Sequence, residues 1–124
     1  MAKSFRDLRI WRDAFALLLK VYRLSTLFPA KEAYILESQL KRSALSIMAN
    51  IAESQGRFGY QDKIQMLIIA RGSIEETRSH LSVALGLQYI NQPTFDKLEE
   101  QYQVLAKGVN SFISYIRKEK QKNT

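Results

Sequence analysis

The chain has 124 residues, of which 46% are hydrophobic and 25% charged, and its formal net charge is +7 at pH 7. This length fits one domain with one hydrophobic core, covering residues 1–124. It contains no cysteine, which excludes disulfides and thiolate metal sites, and no apolar run approaches the roughly 18 residues of a membrane span, so we expect a cytoplasmic protein that does not cross a membrane.

A helical period of apolar residues begins near the start of the chain and predicts a first helix over about residues 5–28. Ser4 can cap this helix, and Pro29 ends it because the residue before a proline avoids the α conformation. Its apolar side chains cover an arc of roughly 200°, about twice the arc that a helix in a monomeric bundle needs. We therefore expect this helix to pack against another copy of the chain as well as against its own core.

The next two helices are predicted over about residues 32–55 and 61–89, where apolar residues again recur every three or four positions. Between them, Gly56 stands where a left-handed C-terminal cap is favoured. Gly72 lies inside the third helix, where a glycine indicates close packing by a neighbouring helix.

A turn at residues 91–94 precedes the fourth helix, which is predicted over about residues 94–118. The polar residues 119–124 are expected to form a frayed basic tail. Four helices of similar length joined by short connections predict an all-α, antiparallel up-down-up-down four-helix bundle.

The excess positive charge lies at the two ends of the chain, since residues 1–23 carry +4, residues 115–124 carry +3 and residues 24–114 carry none. In an up-down-up-down bundle, both chain ends and the loop between the second and third helices meet at one end, here called the basic pole. The predicted nucleic-acid-binding residues are the cations of this pole: Lys3, Arg6, Arg9, Arg12, Arg57, Lys63, Arg117, Lys118, Lys120 and Lys122.

Clustered lysines and arginines attract a phosphate backbone through counterion release, so the basic pole predicts binding of RNA or DNA. Phe58 and Tyr60, beside Arg57, are candidates for contact with such a partner. The alternative is that the charge only keeps the protein in solution. The chain is then a structural or protein-interaction module that binds no nucleic acid.

Catalytic and metal-binding patterns are missing from the sequence. His80 is the only histidine, and position 77, where a di-iron bundle would carry a glutamate, is Thr77. There is no cysteine, no second histidine and no glycine-rich phosphate loop. We therefore expect that the protein is not an enzyme and holds no metal or cofactor.

The most specific motif is Asn50-Ile51-Ala52-Glu53, followed closely by Gly56-Arg57. Other residues that match the same pattern are Phe5, Leu8, Trp11, Phe28, Pro29, Leu36, Leu40, Leu67, Gly72, Ser73 and Glu76. Over about residues 5–117 the chain resembles the four-helix bundle proteins encoded by intervening sequences of bacterial 23S ribosomal RNA genes. The accessory variability determinant of diversity-generating retroelements is similar and belongs to a related branch.

The resemblance implies a four-helix protomer and a ring-like homopentamer. For the retroelement branch it also implies a basic surface that acts with nucleic acid and a reverse transcriptase. The chain departs from the usual pattern at Ser43, Met48 and Ser54, where alanine, proline and glycine are common. Both branches of the family stay open.

Within the motif, Asn50 and Glu53 are three residues apart and share one face of the second helix, and Arg57 lies just beyond its end. We predict that these three residues form a structural polar network that fixes the following loop and a neighbouring helix. The alternative is that they contact a ligand.

Overall fold

The computed structural model describes residues 4–123, and this part of the chain contains four α-helices and no strand, which confirms the all-α prediction. The helices are α1 (Arg9–Ser25), α2 (Leu36–Gly56), α3 (Tyr60–Gly86) and α4 (Gln92–Lys122). Single 3-10 turns, Phe5–Asp7 and Ala30–Glu32, precede α1 and α2. The packing is that of a bundle, in which α1 and α3 each contact both α2 and α4.

The first helix is shorter than predicted at both ends. Ser4 and Asp7 form a capping box, with the Ser4 hydroxyl accepting a hydrogen bond from the Arg6 N–H at 3.0 Å. What they cap is only the first 3-10 turn, because Leu8 is extended (φ −75°, ψ 127°) and separates this turn from α1. The helix then ends at Ser25 instead of residue 28, and Phe28 turns into the core, where its ring packs 5.5 Å from that of Tyr89.

The start of α2 and the end of α3 also differ from the prediction. The second helix begins at Leu36 instead of residue 32, because the backbone of Ile35 is not helical (φ −119°, ψ −97°). Glu32 lies in the preceding 3-10 turn, where it is buried and its carboxylate accepts a hydrogen bond from the Tyr89 hydroxyl at 2.7 Å. The third helix ends at Gly86 instead of residue 89, because Gln88 adopts the left-handed conformation with φ 64°.

The fourth helix is longer than predicted. It includes residues 119–122, and Asn123 is its C-cap, so the prediction of a frayed tail is wrong for residues 119–123. Asn91 caps the start by accepting a hydrogen bond from the Thr94 N–H at 2.9 Å, so the helix begins at Gln92. At the other end, the Asn123 amide donates to the Tyr60 hydroxyl at 3.0 Å and ties the last turn to α3. Residue 124 lies outside the described part of the chain.

Two predictions about glycines are also wrong. Gly56 ends α2 without a left-handed conformation, and the chain leaves through an extended Arg57. Gly72 is exposed and no atom of a neighbouring helix lies within 4 Å of where its Cβ would be, so no helix packs closely there. Close packing occurs at Gly108, where a Cβ would lie 2.9 Å from Ile10 Cγ2.

The most extensive helix contact is between α2 and α3, and small hydroxyl side chains line it. The Ser46 and Ser73 hydroxyl oxygens are 3.0 Å apart, and the Thr77 hydroxyl is 2.8 Å from that of Ser43. The large core side chains surround this seam, among them Leu40, Ile47, Ile51, Ile64, Leu67 and Ile74. None of the helices among residues 4–123 is long and apolar enough to cross a membrane.

Candidate nucleic-acid interface

Segments that are far apart in sequence meet at the end of the bundle where α4 finishes. The Lys120 ammonium donates to the Gln61 amide oxygen at 3.4 Å, which joins the last turn of α4 to the start of α3. Tyr115 of α4 lines two depressions, one shared with Gln55 and Lys63, the other shared with Leu8 and Arg9. The start of α1, the end of α2 and the start of α3 therefore all adjoin the last turns of α4.

The nine described cations of the basic pole lie on these segments. Arg6 is in the first 3-10 turn, Arg9 and Arg12 in the first turn of α1, Arg57 in the α2–α3 connection and Lys63 near the start of α3. The last turns of α4 carry the other four: Arg117, Lys118, Lys120 and Lys122. Lys3 lies outside the described residues. That these side chains bind nucleic acid stays a prediction.

Three of the nine cations have a carboxylate partner. Arg57 Nη2 is 2.5 Å from Glu53 Oε1, Arg9 Nε is 3.7 Å from Asp13 Oδ2, and Lys122 Nζ is 3.5 Å from a Glu119 oxygen. These pairs are largely exposed, and such pairs contribute little to stability. They reduce the positive potential of the pole without removing it.

The other six cations, here called uncompensated, form no ion pair with a carboxylate of the described range. The Arg6 guanidinium lies 4.5 Å from the Phe5 ring centre, Arg12 donates to the Asp7 carbonyl at 3.2 Å and Lys63 donates to the Ser54 carbonyl at 3.2 Å. Lys120 has the amide partner described above. Arg117 and Lys118 are exposed, and neither has an ion pair with any residue of the range 4–123.

The predicted polar network of Asn50, Glu53 and Arg57 is divided into two parts. Glu53 and Arg57 pair with each other, whereas the Asn50 amide folds back along α2 and donates to the Ser46 carbonyl at 2.8 Å and to the Ser46 hydroxyl at 3.0 Å. Asn50 thus extends the hydroxyl seam between α2 and α3, since Ser46 contacts Ser73. A spacing of three residues places two side chains on one face of a helix but does not decide which neighbour each one contacts.

Two cations counted with the charged N-terminal segment lie elsewhere. Lys20 and Arg23 stand 11 and 14 residues after Arg9, roughly 16–21 Å further along α1, and with Lys97 they line a groove between α1 and α4. The sequence did not predict this groove, because the summed charge of a segment does not record where each cation lies along a helix. The number of residues between Arg9 and these two cations is the signal that could have distinguished them from the cations of the basic pole.

Potential metal ligands are not clustered in the described part of the chain. No group of three potential ligands among residues 4–123 could hold a metal ion. His80 Nε2 lies 3.5 Å from Glu76 Oε2 one turn earlier on α3. Burial raises the pKa of the Tyr102 hydroxyl far above its usual range.

The chain is similar to known proteins along most of its length. A family model described as 23S rRNA-intervening sequence protein matches residues 6–111. Among solved structures, the chain is similar to a protein of unknown function from the S23 ribosomal protein family of Bacteroides thetaiotaomicron VPI-5482. The TM-score is 0.78 and the identity 22%, over 85% of this chain and 95% of that one, so this likeness shows the fold alone. No curated protein matches the chain.

Proposed function

Because the chain belongs to the family of 23S rRNA-intervening sequence proteins, we propose that it is a non-enzymatic helical-bundle protein that binds the backbone of RNA or DNA through its basic pole. The observation that carries this proposal is the set of six uncompensated cations on segments adjoining the last turns of α4: Arg6, Arg12, Lys63, Arg117, Lys118 and Lys120. Such a group of cations attracts a phosphate backbone, because binding releases the counterions condensed on it.

An antiparallel up-down-up-down order of the helices is part of the proposal, since it gathers these segments. Hydrogen bonds between α2 and α3 support it, because Ser43 pairs with Thr77 and Ser46 with Ser73, so rising numbers on one helix meet falling numbers on the next. The same trend runs between α3 and α4, in the pairs Arg71–Asn110 and Arg78–Glu99.

Aromatic side chains at the pole add a way to contact unpaired bases. Phe58, in the connection between α2 and α3, is fully exposed next to Arg57. A base stacked on an exposed ring contributes about 1–3 kcal/mol to binding, whichever of the bases it is. The arrangement therefore favours single-stranded or looped nucleic acid, bound through its backbone with little preference for sequence.

Self-association is the second part of the proposal. Phe15, Leu19 and Tyr22 of α1 and Leu45 of α2 are each 40–48% exposed, and apolar groups of this kind usually mark protein contacts. A ring of copies, such as the homopentamer that the resemblance implies, would repeat the basic pole around one rim. Repetition of the pole would strengthen its attraction for a phosphate chain.

The test is the salt dependence of binding to fluorescent 20-nucleotide RNA and DNA strands. For single strands the slope of log K against log salt is about −0.7 per phosphate contact, so removing three cations should reduce the slope by about 2. We expect this result for the variant in which Arg6, Arg117 and Lys118 are changed to glutamine.

A matched control loses the same charge outside the pole, through glutamine at the exposed cations Lys31, Arg42 and Lys107. The control should bind like the wild type. Equal weakening in both triple variants, or binding that salt does not affect, would reject the proposal. The chain would then be a structural or protein-interaction module, the candidate that the exposed apolar side chains of α1 and α2 favour.

A further inference from the structure

The groove between α1 and α4 lies towards the end of the bundle away from the basic pole. These two helices make the least extensive contact of the four neighbouring pairs, and an open groove of about 390 Å³ lies between the end of α1 and the start of α4. Its floor is apolar and is formed by Leu24, Leu27 and Leu98. Leu24 and Leu98 are buried, whereas Leu27 is 73% exposed, so the groove presents unsatisfied apolar surface.

Three cations surround this floor, and no carboxylate lines the groove. Lys20 donates to the neutral Gln101 amide at 3.2 Å, and the side chains of Arg23 and Lys97 have no ion pair or hydrogen bond with any residue of the described range. The carboxylates of Asp13 and Glu100 line the adjoining depression along the same seam, not the groove itself. A ligand that fits must therefore bring apolar groups for the floor and negative charge for the rim.

The apolar track is long enough for a helix. Beyond Lys20 it continues along the seam past Leu17 and Ala16 of α1 and Val104 of α4. From Ala16 to Leu27 is 11 residues, about 16 Å of helix and room for about three turns of a helix laid between α1 and α4. Helices that bind in such grooves use apolar anchors at positions i, i+3, i+4 and i+7.

We propose that this groove binds an acidic amphipathic α-helix of a partner protein, whose apolar stripe covers the three leucines and whose flanking carboxylates pair with Lys20, Arg23 and Lys97. Charge complementarity selects this occupant. The apolar floor distinguishes the groove from the basic pole, because a sugar–phosphate backbone has no apolar surface with which to cover leucine side chains. The groove thus gives the molecule a second, separate binding surface.

Three labelled 21-residue peptides test the proposal by fluorescence anisotropy. The first carries leucine at i, i+3, i+4 and i+7 with glutamates on both sides of the stripe; the second has glutamine for every glutamate; the third has serine for every leucine. We expect saturable binding of the first peptide, at least tenfold weaker binding of the second and no binding of the third. Equal binding of the first two peptides would overturn the assignment of the cations, and absence of binding would overturn the proposal.

Variants of the protein locate the site. The double variant R23E/K97E reverses two rim charges, and Leu27→Asp places a carboxylate on the floor at a side chain exposed enough for the fold to accept it. Each should weaken binding of the first peptide at least tenfold. The control R42E/K107E makes the same change in net charge at exposed cations of α2 and α4 outside the groove, and should bind normally.

Another copy of the chain is the competing occupant, and light scattering distinguishes it. The mass of R23E/K97E should equal that of the wild type at the same concentration if the groove is open to a partner. A smaller mass for R23E/K97E alone would show that a second copy fills the groove and would overturn the proposal. Equal loss of peptide binding in R42E/K107E would overturn it too, because net charge would then explain the binding.

Discussion

Tyr102 occupies a core position where the volume of the ring is used but the hydroxyl is not. It is the largest fully buried side chain of the structure, at 0% exposure, and its hydroxyl has no hydrogen-bond partner between residues 4 and 123. A buried polar group without a partner costs about 1–3 kcal/mol. The ring therefore stabilises the fold while the hydroxyl opposes it.

We expect Tyr102→Phe to raise the free energy of unfolding at pH 7 by about 1 kcal/mol, because it keeps the ring and removes the unpaired hydroxyl. Urea unfolding followed by circular dichroism measures this change. The exposed tyrosine Tyr115 supplies the control, since Tyr115→Phe should alter stability by less than about 0.5 kcal/mol. A less stable Tyr102→Phe protein would show that the hydroxyl has a partner after all.

The same substitution has a signature in the pH dependence of stability. Burial raises the pKa of Tyr102, so in the folded protein the hydroxyl keeps its proton when the unfolded chain begins to lose it near pH 10.0. The unfolded state then binds fewer protons than the folded state, and stability falls as the pH rises above this value. Tyr102→Phe should lessen the fall. Part of it should persist, because the hydrogen bond to Glu32 also raises the pKa of Tyr89.

At the scale of the helix, the contact between α2 and α3 depends on small side chains. Ser73 is 7% exposed, and its hydroxyl faces that of Ser46 across the seam. A leucine at this position would force the helices apart and leave Ser46 without its partner in the neighbouring helix. Side chains with hydroxyl groups are small enough to let the two helices approach, and they form hydrogen bonds with one another.

We therefore expect Ser73→Leu to lower the free energy of unfolding by about 1–3 kcal/mol, the usual cost of overpacking a core. Thermal or urea unfolding measures it. Ser79→Leu, at an exposed position of the same helix, is the control and should change stability by less than about 0.5 kcal/mol. Similar stabilities of the two variants would show that the seam has room to spare.

The helices were predictable from the sequence, whereas several of their ends were not. Periodicity depends on burial along each helix, and it correctly indicated four helices. Contacts between distant residues occur at these ends: Tyr89 donates a hydrogen bond to Glu32 before α2, and Asn123, just after α4, donates one to Tyr60. The periodicity of a short segment does not indicate which distant residue its side chains contact. Helix ends at which such contacts occur were therefore predicted less well than the helices themselves.

The candidate site was predictable to a similar degree. The chain ends and the loop with Arg57 were expected at one end, and contacts such as that between Lys120 and Gln61 join these segments. The separation of Asn50 from the pair of Glu53 and Arg57, and the position of Arg23 beside the groove, were not foreseen. The summed charge of a segment predicts neither the partner of a charged side chain nor its position along a helix.

At the scale of the whole molecule, the apolar side of α1 and α2 is the surface that self-association would cover. Phe15 and Tyr22 stand two turns apart on the same face of α1, and the Lys41 ammonium of α2 lies 4.8 Å from the Tyr22 ring centre. This face therefore borders α2, where Leu45 is also exposed. Together they provide one apolar surface on one side of the bundle.

We expect the double variant F15E/L45E to have the mass of a monomer by light scattering at micromolar concentration, while the wild type has a larger mass. Carboxylates on both helices would have to lose water when the surface is covered, which is costly without partners. Val83→Glu, on the exposed face of α3, should keep the wild-type mass. A wild-type protein with the mass of a monomer would reject self-association.

The unequal contacts of the four helices also bear on how the chain folds during synthesis. Only residues 57–59 separate α2 from α3, the pair with the most extensive contact, so this hairpin closes a short loop and can form early. The seam between α1 and α4 joins helices from opposite ends of the chain, and it must wait until the last helix has left the ribosome. Until then the face of α1 that borders α4 stays uncovered, and α1 is held only by its contact with α2.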